Sequence, residues 1–451
     1  MNPRLVLLVV LLLILVKPIQ AQEEERKISV HPDVHWRTFW MNTSYPGENF
    51  KEDYALGMSL NLGAQVDFRE YWNFQIGYRA FANLASSDLE GPDPISGQGN
   101  RYEIGLFDML NPSDRFFGKL ETLSLAYTRK KFAIKLGRQP INSDWVNGQD
   151  GRLSPTAMEG IMVRFSPNTA WNLTAYAISR MSIRGSSEWL RVGETVGIFP
   201  QGRTEDGKPG AYFGNTQSNW VSIFELDRKL GKKNKLHFSN TLAQNLFSTY
   251  WIGMESHFPN AKNTLSLGLQ AGFQHGIGNG GNEIPSFRFK NPGDRNMAIS
   301  GRLGWKNTRW TTHLNFTQVF GKGRWLSPRE WGKDPWYTFI PRERNEGFET
   351  VTALTGFGAY RFDQVPGQIY TQLGIHWLPE MQDIAANKYN FPSYYQLNLG
   401  IKYQPKWVKN LDVHLILVSK EPLSSDPLAP NQIYNKVEML HFNGILNWRW
   451  K

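Results

Sequence analysis

The residues of this chain best suited to chemistry are charged, and they recur at alternate positions. Lys135 lies in FAIKLGRQPI and Arg164 in GIMVRF. Each sits opposite apolar neighbours, Ile134 and Leu136 beside the first, Val163 and Phe165 beside the second. A period of two is the signature of a strand with one wet face. Between the two runs lies NSDWVNGQDGRLSPTAME, punctuated by Gly and Pro and carrying Asp144, Trp145, Asp150 and Arg152. Two strands whose cations face one way, joined by a polar connection, suit the wall of an aqueous passage and its constriction. Fixed charges placed like this act on solutes through their field.

Covalent chemistry finds little support. Cysteine is absent, so there is no thiol chemistry and no disulfide. No Cys or His cluster has metal-ligand spacing, and no Gly-rich loop could cradle a phosphate. Ser186, Ser187 and Glu188 lie together in a long loop without the context of a nucleophile, and no Ser-His-Asp set can be placed. The sequence therefore implies neither an enzyme nor a bound cofactor or metal. A formal net charge of +10 with 14% aromatics could suit nucleic acid. An exported chain, however, rarely meets nucleic acid.

Export follows from the first residues. Arg4 precedes LVLLVVLLLILV, and Ala21 closes the segment on a small residue, the layout of a cleaved signal peptide over residues 1–21. Removing Arg4 and Lys17 would lower the net charge by two. No later apolar run is long enough for a membrane helix, and mean hydropathy is −0.45. Yet the chain has 17 tryptophans, which fits the aromatic girdles of an outer-membrane barrel. Such a barrel escapes hydropathy detection because lipid-facing and lumen-facing residues alternate.

From His31 onward about 18 segments show period-2 character. Short links follow Phe68, Thr128, Ser166, Asp227, Phe258, Trp305, Phe362 and Tyr403, and long links lie between. The fold expected is all-β: one transmembrane antiparallel β-barrel over residues 22–451, with short periplasmic turns and long extracellular loops. The connection over about 139–157 is expected to fold inward. In the last strand Phe442, Leu446, Trp448 and Trp450 alternate toward lipid. The opposite face then supplies a basic lumen lining: Arg37, Arg79, Lys135, Arg164, Arg302, Lys402 and Arg449. Arg138, Asp144, Trp145, Asp150 and Arg152 are the expected constriction. Opposed charges in a narrow eyelet would orient carboxylate or zwitterionic solutes.

The run GRQPINSDWVNGQDGRLSPTAMEGIMV, Gly137 to Val163, resembles a segment of OprD-type outer-membrane porins. There, a strand ending in Gly-Arg-Gln enters a loop with Gln-Asp-x-Arg-x-x-Pro and leaves through a Glu-Gly strand. The early strand WRTFW and the following YALGMSL hairpin are similar too. The resemblance covers Val34 to Arg180 by motif and only the architecture afterwards. It implies a monomeric 18-stranded barrel in the outer membrane, a narrow channel with an arginine and lysine ladder, inward-folded loops, and passive passage of small carboxylate or amino-acid-like solutes. Arg138, Asp150 and Arg152 sit on the motif itself. A neighbouring possibility is the alginate-export type of barrel, which would pass an acidic polysaccharide outward.

Overall fold

Alternation decides which way each side chain of the wall points. In the strand Arg295–Lys306, Met297, Ile299 and Leu303 are 50%, 47% and 61% exposed, whereas Ala298 and Ser300 between them are buried. The exposed apolar row is the lipid face, since an apolar row of this kind on the outside of a closed barrel is stable where hydrocarbon covers it.

The computed structural model describes residues 28–149 and 151–450; the expected leader and Asp150 lie outside the described residues. Eighteen strands form the wall. They are β1 (Ile28–Ser44), β2 (Asp53–Phe68), β3 (Trp72–Ser86), β4 (Phe116–Arg129), β5 (Phe132–Pro140) and β6 (Ala157–Asn168). Next come β7 (Trp171–Ser182), β8 (Val221–Leu230), β9 (Asn234–Ala243), β10 (Phe247–Asn260), β11 (Asn263–Gly276) and β12 (Arg295–Lys306). The last six are β13 (Trp310–Lys322), β14 (Val351–Arg361), β15 (Gly367–Trp377), β16 (Tyr394–Tyr403), β17 (Leu411–Pro422) and β18 (Met439–Trp450). Each pairs antiparallel with its sequence neighbours, and β1 closes on β18 with Trp36 opposite Trp448. A two-residue extension, Leu190–Arg191, pairs with the end of β7 and stands outside the wall. Both described ends of the chain lie at the end carrying the short turns, the periplasmic end of such a barrel. Among the described residues no helix is long and apolar enough to cross a membrane.

The outer connections are L1 (45–52), L2 (87–115), L3 (141–156), L4 (183–220), L5 (244–246), L6 (277–294), L7 (323–350), L8 (378–393) and L9 (423–438). L5 breaks the expected short-long alternation. Asn245 takes a φ of 62°, the left-handed position of a tight turn. Leu246 is fully buried there, and the Asn245 side-chain oxygen accepts the Asn279 N–H from L6 at 2.9 Å.

The tryptophans do not all join the girdles. Trp40, Trp310, Trp377 and Trp450 are 42–50% exposed at the lipid boundaries. Trp145, Trp251, Trp325, Trp331 and Trp336 are buried inside the barrel instead. Long loops that fold into a lumen need an apolar filling of their own, and these five indoles supply it.

Candidate pore and constriction

The strand-borne cations gather toward the periplasmic mouth. Arg37, Lys402 and Arg449, from β1, β16 and β18, line a cavity of about 800 Å³ together with Gln368, Asp412, His414 and Asn447. Arg37 donates to the Asn447 side-chain oxygen at 2.7 Å, while Lys402 and Arg449 are exposed to the cavity. Lys135 donates to Gln75 at 2.8 Å, and Arg164 is exposed on the same face of the wall. Not every basic residue stays open. Arg79 makes a bidentate pair with Glu121, at 2.6 and 2.8 Å, and is 3% exposed. Arg302 donates to Asn315 at 2.8 Å and lies 4.4 Å from the Tyr337 ring of L7. These two brace the structure.

Above this vestibule four loops converge on a chamber of about 60 Å³. Its lining holds six arginines: Arg101 of L2, Arg152 of L3, Arg184 of L4, and Arg329, Arg342 and Arg344 of L7. Two are neutralised. Glu343 accepts from Arg101 at 3.1 Å, from Lys420 at 2.7 Å and from Tyr102 at 3.1 Å, and Glu346 pairs with Arg329. The other four have no carboxylate partner among the described residues. Arg344 donates to the Gln149 side chain at 2.8 Å and to the Arg329 carbonyl at 3.1 Å. Arg184 lies 4.7 Å from the Phe199 ring. Nε of Arg152, Nε and Nη1 of Arg184, and Nε of Arg342 are buried without a protein acceptor.

Burial, then the charge of Arg342, pushes Arg152 down to about 9. Burial, then Arg344 and Arg152, pushes Arg184 well below the ordinary guanidinium value. Guanidiniums remain protonated in proteins, so the direction of these shifts reflects charge held in a buried site among like charges. Burial alone would raise Glu343, but Arg101, Lys420 and Arg329 outweigh it and hold the carboxyl at about 2.

Several known structures share this architecture. A porin from Acinetobacter baumannii, OccAB3, superposes with a TM-score of 0.71 at 14% identity, over 93% of this chain and 99% of its own. A BenF-like porin from Pseudomonas fluorescens Pf-5 gives 0.71 at 14%, over 93% and 98%. OpdK of Pseudomonas aeruginosa, solved with vanillate, gives 0.68 at 12%, over 93% and 98%. The chain has the OprD-type porin fold. No protein-family model and no curated protein matches the sequence.

On this fold the expected constriction residues separate. Arg152 of L3 reaches the chamber. Gly105 in L2 makes room for it, since a Cβ there would stand 2.6 Å from Arg152 Nε. Arg138 does not line the lumen: it belongs to β5, on the same outward face as Leu136, and pairs with Glu159 of β6 at 2.8 Å. The physical reason is parity, because Arg138 lies three positions from the inward Lys135. Asp144 does not oppose the arginines either. It accepts from His237 at 2.8 Å and from Ser239, both on β9, so it fastens L3 to the wall. Trp145 narrows nothing directly. It packs against Trp251, Trp325 and Trp336 with ring centroids 5.4–5.6 Å away, joining L3, L7 and β10.

Sequence reasoning missed Arg101, Arg184, Arg329, Arg342 and Arg344, all on loops without periodicity. The spacing of RERNEG, which places Arg342 and Arg344 around Glu343, was the one local signal. It also missed a group of potential metal ligands, Asp144, Glu225 and His237, whose ligand atoms lie within 4.8 Å of one another. Both ring nitrogens of His237 already contact carboxylates, Asp144 at 2.8 Å and Asp227 at 2.9 Å. The group therefore reads as an ion-pair bridge between loop and wall.

Proposed function

We propose that this protein is a monomeric outer-membrane channel through which small carboxylate-bearing or amino-acid-like solutes diffuse passively. Residues 1–21 would be its cleaved leader. The observation that carries this reading is the chamber in which four arginines lack carboxylate partners among the described residues. Planar guanidiniums with unmade hydrogen bonds suit a carboxylate because its two oxygens match their fork. The vestibule below, with Arg37, Lys402 and Arg449, would draw the anion onward. OpdK, which shares the fold, has been solved with vanillate, itself a small carboxylate. Export of an acidic polysaccharide fits less well, because structures that share the fold include a BenF-like porin and OpdK solved with the small carboxylate vanillate.

The test is the reversal potential of the refolded barrel in a planar bilayer under a salt gradient, repeated with a small monocarboxylate as the sole anion. Anion-selective current that the carboxylate carries or blocks is the expected result. A barrel that inserts and passes no ion, or that prefers cations, overturns the reading.

A further inference from the structure

The short turns at the periplasmic end carry a concentration of charge that the pore does not use. Two of three adjacent hairpins bear seven cations: Arg129, Lys130 and Lys131 on β4–β5, and Arg228, Lys229, Lys232 and Lys233 on β8–β9, with the uncharged β6–β7 turn between them. All seven are exposed, and none of the seven is in an ion pair among the described residues. Main-chain bonds stitch the hairpins side by side. Ser166 N–H donates to the Lys131 carbonyl at 2.7 Å and Lys229 N–H to the Ala170 carbonyl at 2.8 Å. The cations therefore form one surface rather than separate tips. The opposite end has a different balance, since L2 alone carries six acids against two bases.

The depth of this surface is fixed by aromatics. Phe132 and Phe165, cross-strand partners on β5 and β6, are 41% and 45% exposed on the lipid face. Trp171 sits opposite Arg228, whose guanidinium lies 4.6 Å from the ring, and Arg129 lies 5.4 Å from the Tyr71 ring. Aromatic belts of this kind rest at the headgroup level of a bilayer. Cations stacked on them are held where lipid phosphates lie, with hydrocarbon-facing rings directly alongside. On the neighbouring lumen face, Asp227 is engaged by Lys235 at 2.9 Å and by His237, so it does not neutralise the outer cations.

From this juxtaposition we infer that the β4–β9 sector of the periplasmic rim is a binding site for an anionic phospholipid of the periplasmic leaflet. The phosphodiester would be held by Arg129, Arg228 and the flanking lysines, and the acyl chains would lie against Phe132, Phe165 and Trp171. Such a site would orient the barrel in the membrane and hold a lipid during detergent extraction.

The test uses the refolded full barrel in mixed bilayers and reads the motionally restricted fraction of spin-labelled phosphatidylglycerol against spin-labelled phosphatidylcholine. A preference of roughly tenfold for the anionic lipid is expected. It should fall toward parity in the variant Lys130→Gln, Lys131→Gln, Lys232→Gln, Lys233→Gln. A control variant on another turn, Lys406→Gln with Lys409→Gln, should keep the preference. Heat-modifiable electrophoretic mobility and single-channel conductance establish that each variant folds. Absence of preference in the parent protein overturns the inference, as does equal loss in both variants, which would mean diffuse surface charge. Displacement of the labelled lipid by inorganic phosphate would assign the cations to free phosphate and overturn the lipid site.

Discussion

The chamber and the vestibule carry charge of the same sign under opposite conditions. In the vestibule Lys402 and Arg449 project from strands into a cavity of about 800 Å³, whose lining also includes Arg37, buried against Asn447. Their fields are screened over about 8 Å at physiological ionic strength. In the chamber six arginines on loops surround about 60 Å³, where little water intervenes and each charge acts at close range. The vestibule can collect anions, whereas the chamber can choose among them. On the proposed reading, selectivity would depend less on how many cations line the pore than on how many lack water and a partner.

That contrast can be broken at its hub. Glu343 binds Arg101, Tyr102 and Lys420 together. Glu343→Gln leaves two buried cations uncompensated and should destabilise the loop assembly by about 3–5 kcal/mol. Denaturant or thermal unfolding in detergent would show it as loss of the folded electrophoretic form. If the barrel unfolds as before, Glu343 is not the hub.

Selectivity offers a sharper cut. The pair Arg184→Gln and Arg344→Gln removes two unneutralised guanidiniums, each able to make a charge-assisted bond worth about 1.5–3 kcal/mol to an anion. Anion over cation permeability should fall roughly tenfold or more. The double change Lys402→Ala and Arg449→Ala, both exposed, should alter it far less, by less than about 1 kcal/mol, and its effect should vanish at high salt. Equal losses from the two sets would erase the distinction between the regions.

A smaller effect should appear with pH. Glu103 of L2 is wholly buried, which pushes its carboxyl up to about 7, and it hydrogen-bonds Thr43 at 2.6 Å and Asn100 at 2.9 Å. A raised folded pKa means the folded state holds the proton more tightly. The stabilisation is present below the ordinary carboxylate range and is lost as pH rises through about 7. Above that pH the new negative charge stands near Arg152 and Arg342, so melting temperature and anion selectivity should both decline from pH 6 to pH 8. Glu103→Gln should flatten the dependence. Glu343 has the opposite sign, its contribution being lost only as pH falls through about 2.

What the sequence by itself determined is whatever depends on neighbours one or two positions away. Alternation gave the lipid face, the eighteen strands and the inward direction of Arg37, Lys135, Arg164, Arg302, Lys402 and Arg449, because side-chain direction in a strand has a strict period of two. The same rule applied to Arg138 would have placed it outside, beside Leu136. Only the tertiary structure decided the chamber. Arg101, Arg184 and Arg342 come from loops far apart in sequence, and their meeting depends on Trp145, Trp325 and Trp336 packing L3 and L7 into the lumen. Contacts between distant, irregular segments leave no period in the chain to be read.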